Sequence, residues 1–164
     1  VKNIAYLSLG ANLGDREKNL HEAVRRLGEL GTVMNVSGFY ETEPVDVAAE
    51  QPWYLNAAVA LQTELKPKDL LDGLLALEQS MGRQRIEPKS PRTVDIDIVL
   101  FGEMAVHEVG LTIPHPRMHL RRFVLEPLAE IAPEARHPVL QRTAKELLES
   151  LPPGIGTVRK TTAH

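Results

Sequence analysis

The chain contains no cysteine, and its aromatic residues amount to one tryptophan, three tyrosines and three phenylalanines. The first absence removes disulfides, thiolate metal sites and a cysteine nucleophile, and it suits a cytoplasmic setting. The second leaves little for a nucleic-acid platform, which needs exposed strand aromatics over a basic sheet face. A formal net charge of −3 gives no global attraction to nucleic acid or to a membrane surface. No apolar run approaches the roughly 20 residues that cross a bilayer. The first residues, "VKNIAYLSLG", read as a strand rather than a signal peptide, because they lack a long apolar stretch. There is also no G-x-x-x-x-G-K-[ST] phosphate loop, no kinase glycine loop and no HExxH zinc motif. "GANLG" has the wrong glycine spacing for a dinucleotide fingerprint. Nucleotide chemistry in this chain would therefore rest on metal ions and arginines.

The 164 residues, 43% of them apolar, suffice for one domain with a substantial core, expected over residues 1–164 as a soluble monomer or small homo-oligomer. Ile4 to Leu9 alternates as a strand. Asp15 is placed to cap a helix carrying Leu20, Ala23, Val24, Leu27 and Leu30, with Gly31 as its stop. Val33 to Glu43 and Tyr54 to Leu65 are β-rich and flank a loop that begins at Pro44. Pro67 opens a second helix with Leu70, Leu71, Leu74, Leu75, Leu77 and Met81 on its apolar face, closed by Gly82. A basic loop, Arg83 to Pro91, leads into a strand from Val94 to Phe101, then a turn or short hairpin over 102–110. Short helices follow near Arg121–Ile131 and Thr143–Leu151. The order β-α-β-β-α-β is that of a ferredoxin-like α+β core. It predicts an antiparallel sheet with the two main helices on one face and the additional C-terminal helices over part of the other.

The strand "SPRTVDIDIVLFG" carries the strongest chemical signal. Val94, Ile96 and Ile98 alternate with Asp95 and Asp97, so both carboxylates point to one face, roughly 6–7 Å apart along the chain. Such a pair can hold Mg²⁺ together with substrate phosphates. It can equally be two solvated acids on an exposed sheet face. Arg83, Arg85, Lys89 and Arg92 lie just upstream, either as partners for phosphate or as simple neutralising counter-charges. Glu78 stands at the edge of the second helix's apolar face; it can point from the last turn toward the same site, or be an exposed acid before a basic loop, the reading that helix geometry alone favours. His115, between Pro114 and Pro116, has a restricted backbone, and Arg117, Arg121 and Arg122 add charge nearby. Trp53, Tyr54 and Asn56 open the strand that follows the Pro44 loop. Aromatic rings with one amide suit a flat, nitrogen-rich heterocycle, and they suit a strand end in a core equally well.

Four blocks together, "YLSLGANLGD", "FYETEPVDVAAEQPWYLNAAV", "LEQSMGRQR…PRTVDIDIVLFG" and "LTIPHPRMHLRRFVLEPLAEIAP", resemble the 6-hydroxymethyl-7,8-dihydropterin pyrophosphokinase family over roughly Ile4 to Pro138. The resemblance implies transfer of pyrophosphate from MgATP to the hydroxymethyl group of the dihydropterin, releasing AMP, as a step of folate biosynthesis. Its partners would then be ATP and the pterin, with no nucleic acid and no membrane. Carried over by position, Asp95 and Asp97 would hold two Mg²⁺ ions and, with Arg83 and Arg92, form the catalytic set. Glu78, Arg83, Arg85, Arg92, Ile98, Thr112, His115 and Arg121 would bind ATP. Thr42, Glu43, Pro44, Val45, Tyr54, Asn56 and Phe123 would bind the pterin, several of them through the backbone. The loops after the first two strands and the loop 83–92 would be mobile lids. Lys89 and Ser90 stand where the family often has tryptophan and glycine, and Pro116 where it often has tyrosine. On residues alone, a ferredoxin-like regulatory domain that binds a small ligand without turning it over stands as an alternative.

Overall fold

The computed structural model describes residues 2–11, 14–42, 53–82, 94–152 and 158–160. Strand β1 (Asn3–Ala11) lies at the centre of the main sheet. Helix α1 (Arg16–Leu27) starts on Asp15, whose carboxylate accepts the Lys18 N–H at 3.1 Å. It stops earlier than its leucine spacing predicts, at Gly28 rather than Gly31. Gly31 has a different task. A Cβ there would collide with the Gln62 carbonyl oxygen, so glycine lets the turn after α1 lie against the neighbouring strand.

The single strand expected over 33–43 is two segments, β2 (Thr32–Val36) and β3 (Tyr40–Thr42). Both pair along the same side of β4 (Tyr54–Thr63). Between them the Ser37 hydroxyl accepts the Ala58 N–H at 2.8 Å, and the Ser37 N–H donates to the Ala58 carbonyl at 2.9 Å. Helix α2 (Pro67–Ser80) has proline in its first turn, where a missing N–H costs nothing. Strand β5 (Asp95–Phe101) completes the core on the other side of β1.

The sheet order is therefore β2/β3, β4, β1, β5, antiparallel throughout, as the ferredoxin-like order requires. The hairpin expected after β5 forms from β6 (Val106–Glu108) and β7 (Leu111–Ile113). A single 3-10 turn at Met118–Leu120 precedes α3 (Arg122–Ile131). A hairpin with strands of two residues each, β8 (Arg136–His137) and β9 (Arg142–Thr143), leads into α4 (Ala144–Glu149), which a Thr143–Glu146 capping box opens. Strand β10 (Val158–Lys160) adds to the outer edge of β3, an element the sequence pattern does not announce.

Two apolar layers sandwich the sheet. Leu20, Ala23 and Leu27 of α1 and Leu70, Leu74 and Leu77 of α2 pack on Leu7, Leu9, Val59 and Ile98. Val124, Leu125 and Leu128 of α3 and Leu147 of α4 pack on Ala58, Val99 and Leu100 from the opposite side. No helix among the described residues is long and apolar enough to cross a membrane.

Candidate active site

The second face of the sheet is only partly covered by α3, and its open end collects the polar residues of the predicted site. Register decides this. Gly10 on β1 is opposite Asp95 on β5 and Asn56 on β4, and Asn56 is in turn opposite Tyr40 on β3. Residues directly opposite in a ladder share a face, so Asp95, Gly10, Asn56 and Tyr40 form one row across four strands. A parallel row contains Asp97, Ser8 and Ala58. The middle of both rows is built from small residues, Gly10, Ser8 and Ala58, so no large side chain of the sheet stands between the two carboxylates and the amide. With strands about 4.8 Å apart, Asp95 and Asn56 flank Gly10 at about 10 Å from one another.

Asp95 and Asp97 are both half-buried, while Ile96 and Ile98 between and beyond them lie in the core. The donors on offer at that edge are hard carboxylate oxygens. This chemistry fits Mg²⁺, which takes one or two carboxylates and completes its shell with waters and phosphate oxygens.

Glu78, which helix geometry placed in solvent, is only 2% exposed. Its carboxylate accepts the Ile96 N–H at 2.7 Å, so the last turn of α2 is fastened to β5 midway between the two aspartates. His115 is fixed by an irregularity in β5. Tyr6 faces Leu100 and Leu7 faces Ile98, which leaves Val99 as an extra residue. The Val99 carbonyl accepts the His115 N–H at 3.0 Å. The His115 Nδ1 accepts the Arg117 N–H at 3.2 Å, which leaves Nε2 as the protonated, donating nitrogen. Burial holds this imidazole below its ordinary pKa; Arg121 and Arg117 push the same way, and Asp95 opposes them. Arg121 caps α3 and lies over the Phe123 ring, 5.6 Å from its centroid.

At the other end of the row, Asn56 is 5% exposed and fully oriented by protein. Its Oδ1 accepts the Thr42 hydroxyl at 2.5 Å and its Nδ2 donates to the Leu9 carbonyl at 3.3 Å. Thr42 is opposite Tyr54, which is 36% exposed beside it. Phe123 is half-buried against the α3 layer.

The fold thus brings Thr42, Tyr54, Asn56, Asp95 and Asp97 to one sheet face, with Glu78 behind β5 and His115 beside it. Ile98 is different: its side chain lies in the core on the opposite face. Thr112 stands on β7 opposite His107, between the buried Leu111 and Ile113, in a hairpin that packs beside β5. Glu43, Pro44, Val45, Arg83, Arg85, Lys89, Ser90 and Arg92 lie outside the described residues. Sequence reasoning passed over Gly10 and Ser8. Their signal is the run of small residues in "LSLGA", which looks like ordinary strand until register sets it between Asn56 and Asp95.

The chain matches the family model described as 7,8-dihydro-6-hydroxymethylpterin-pyrophosphokinase (HPPK) over residues 6–133. It is 46% identical over 133 residues to the 2-amino-4-hydroxy-6-hydroxymethyldihydropteridine pyrophosphokinase of Bacillus subtilis, covering 80% of this chain and 79% of that one. It is 39% identical to the folic acid synthesis protein FOL1 of Dictyostelium discoideum over 93% of this chain, which spans only 23% of that longer protein. Its fold superposes on the crystal structure of wild-type Plasmodium falciparum HPPK-DHPS with pteroate at a TM-score of 0.72 and 20% identity, over 91% of this chain and 42% of that one. The acidic pair, the buried amide and the intervening glycine thus sit on a known scaffold, and the chain belongs to the 7,8-dihydro-6-hydroxymethylpterin pyrophosphokinase family, enzymes that transfer pyrophosphate in folate biosynthesis.

Proposed function

We propose that pyrophosphate transfer takes place across the Asp95–Gly10–Asn56 row, with the triphosphate of ATP at the Asp95 end and the pterin at the Asn56 end. The observation that carries this reading is the register itself: an oxygen-donor pair and a buried, oriented amide share one face on either side of a residue with no side chain. The reaction joins the pterin hydroxymethyl oxygen to the β-phosphorus of ATP and breaks the bond from that phosphorus to the α,β-bridging oxygen. AMP leaves with the bridging oxygen, and the hydroxyl proton is lost to solvent.

Asp95 and Asp97 would hold two Mg²⁺ ions, which when bound supply the positive charge that screens the triphosphate oxygens. Glu78 keeps β5 from shifting while the aspartates bear that load, because it grips the backbone between them. His115 offers its Nε2–H to a phosphate oxygen, and Arg121 adds a fixed charge nearby. Arg83, Arg85 and Arg92 are assigned to the phosphates from their place in the sequence, with Arg83 and Arg92 offsetting charge on the leaving oxygen. Ile98 contributes through its backbone on the outer strand, and Thr112 through its hydroxyl from β7.

The pterin presents alternating donors and acceptors along one edge. Asn56 can meet them because Thr42 and Leu9 hold its amide in one orientation, so little rotamer freedom is lost on binding. Tyr54 and Phe123 supply apolar surface for its faces, and Glu43, Pro44 and Val45 are assigned to the same end. No side-chain nucleophile is needed. Positioning and charge compensation carry the acceleration, as in phosphoryl transfer generally.

The test is the nucleotide product. Incubation with MgATP and 6-hydroxymethyl-7,8-dihydropterin should give AMP and the pterin diphosphate in equal amounts. Formation of ADP would indicate ordinary phosphoryl transfer, and absence of turnover would favour a ligand-binding role.

A further inference from the structure

Arg16 is the first residue of α1, where a positive charge opposes the helix dipole. Its position is better explained by what it reaches. The guanidinium donates to the Trp53 carbonyl at 2.6 Å and lies 3.9 Å from the Glu41 carboxylate. Trp53 directly precedes Tyr54 on β4, and Glu41 stands between Tyr40 and Thr42 on β3. One side chain therefore bridges the residue that leads into β4 and the middle residue of β3, and ties both to the start of a helix.

The ladder it bridges is short. β3 and β4 are joined by the pairs Tyr40–Asn56, Glu41–Leu55 and Thr42–Tyr54, with the last at the open end of the sheet. β10 pairs with β3 along its other edge, but the Thr42–Tyr54 end of the β3–β4 ladder is terminal, and strand ends open at small cost. The Thr42–Asn56 hydrogen bond that orients the buried amide depends on this ladder remaining closed. Glu41 is opposite Leu55, which belongs to the α1–α2 layer, so the Glu41 side chain that Arg16 meets lies behind the sheet, on the face away from Asn56. The aspartates on β5 are separated from this ladder by β1.

We infer that Arg16 is a positioning residue for the pterin end of the site: it clamps the β3–β4 ladder so that Thr42, Tyr54 and Asn56 present one preformed surface. The inference rests on the pterin assignment above. It calls for a split between the substrates, because the clamp holds one end of the row and leaves the other alone.

Steady-state kinetics of Arg16→Ala, Arg16→Lys, Glu41→Gln and Asn56→Ala, with thermal unfolding of each, test it. Arg16→Ala should raise KM for the pterin roughly tenfold, as loss of a charged hydrogen bond to the ladder would, and leave KM for ATP within about twofold. Arg16→Lys should recover part of the loss, since an ammonium still donates to the Trp53 carbonyl. If Arg16→Ala does not fold, Glu41→Gln carries the test, with a rise in pterin KM of about twofold expected from loss of a part-exposed ion pair. An unchanged pterin KM, or both KM values rising together, overturns the clamp. Asn56→Ala separates the two ideas. A pterin KM unmoved by that substitution defeats the pterin assignment itself, whereas a large rise there beside a flat Arg16→Ala defeats the clamp alone.

Discussion

Replacing Glu78 offers a direct measure of how α2 holds the acidic strand. The carboxylate is 2% exposed and accepts the Ile96 N–H at 2.7 Å. Glu78→Ala removes a charged acceptor from a buried donor, at about 1.5–3 kcal/mol. It also removes one buried methylene with the carboxyl group and leaves a small void, adding about 1 kcal/mol. The sum is about 3 kcal/mol, or about 10 °C in Tm at this chain length. Glu78→Gln keeps an acceptor of the same reach and gives up only the charge, so about 1 kcal/mol, or about 3 °C, is expected. Urea denaturation followed by far-UV circular dichroism, with thermal melts alongside, measures both. Because the bond lies between Asp95 and Asp97, kcat should fall further in the alanine variant than in the glutamine variant, measured where both are folded. An alanine variant within about 0.5 kcal/mol of the parent would refute the reasoning, since surface substitutions alone give that much. A glutamine variant as unstable as the alanine one would refute it too, because the hydrogen bond would then carry none of the effect.

Three further outcomes follow from the same geometry. A Cβ at Gly10 would lie 2.8 Å from the Asn56 Nδ2, so Gly10→Ala should cost about 1–3 kcal/mol in urea denaturation and raise pterin KM more than ATP KM; equal changes in both would count against the shared-row reading. Asp95→Ala and Asp97→Ala should each abolish turnover, and either variant retaining more than about a tenth of the parent rate would sink the metal assignment. The third concerns acid. Burial holds His115 and His137 below the ordinary value of 6.5. The unfolded chain therefore takes up protons first, and the stability held by the neutral imidazoles is complete above 6.5 and lost as pH falls through the lower folded-state values. Urea midpoints should decline between about pH 7 and pH 5.5, and His137→Asn, whose amide oxygen can still accept the Val139 and Leu140 N–H groups, should flatten that decline. A midpoint that holds or rises on acidification would contradict the sign.

Most of the architecture was legible because it rests on local periodicity. Alternation marked β1, β4 and β5, a 3.6-residue repeat marked α1 and α2, and Asp15 and Pro67 marked the helix starts. Failures occurred where a distant segment overrode the local pattern. Leu30 fits the helical spacing of α1, yet the helix ends at Gly28 because Gly31 must lie against the Gln62 backbone. The run 33–43 looks continuous, yet Ser37 interrupts it by bonding Ala58 through both its hydroxyl and its backbone. β10 carries no pattern of its own and exists through pairing with β3.

The candidate site divides in the same way. That Asp95 and Asp97 share a face, with Val94, Ile96 and Ile98 turned to the core, follows from the two-residue repeat of a strand and needed nothing beyond the sequence. The motif blocks likewise assigned the family. Which residues face those carboxylates is set by register between strands far apart in the chain, and local sequence does not encode it. Only the tertiary structure put Gly10 between Asp95 and Asn56, sank Glu78 into contact with the Ile96 backbone, and turned the extra residue Val99 into an anchor for His115. The physical reason is one of range. Periodicity and capping are decided within a turn or a few residues, whereas burial of a helix-edge acid and the neighbours of a strand residue are decided by packing across the whole sheet.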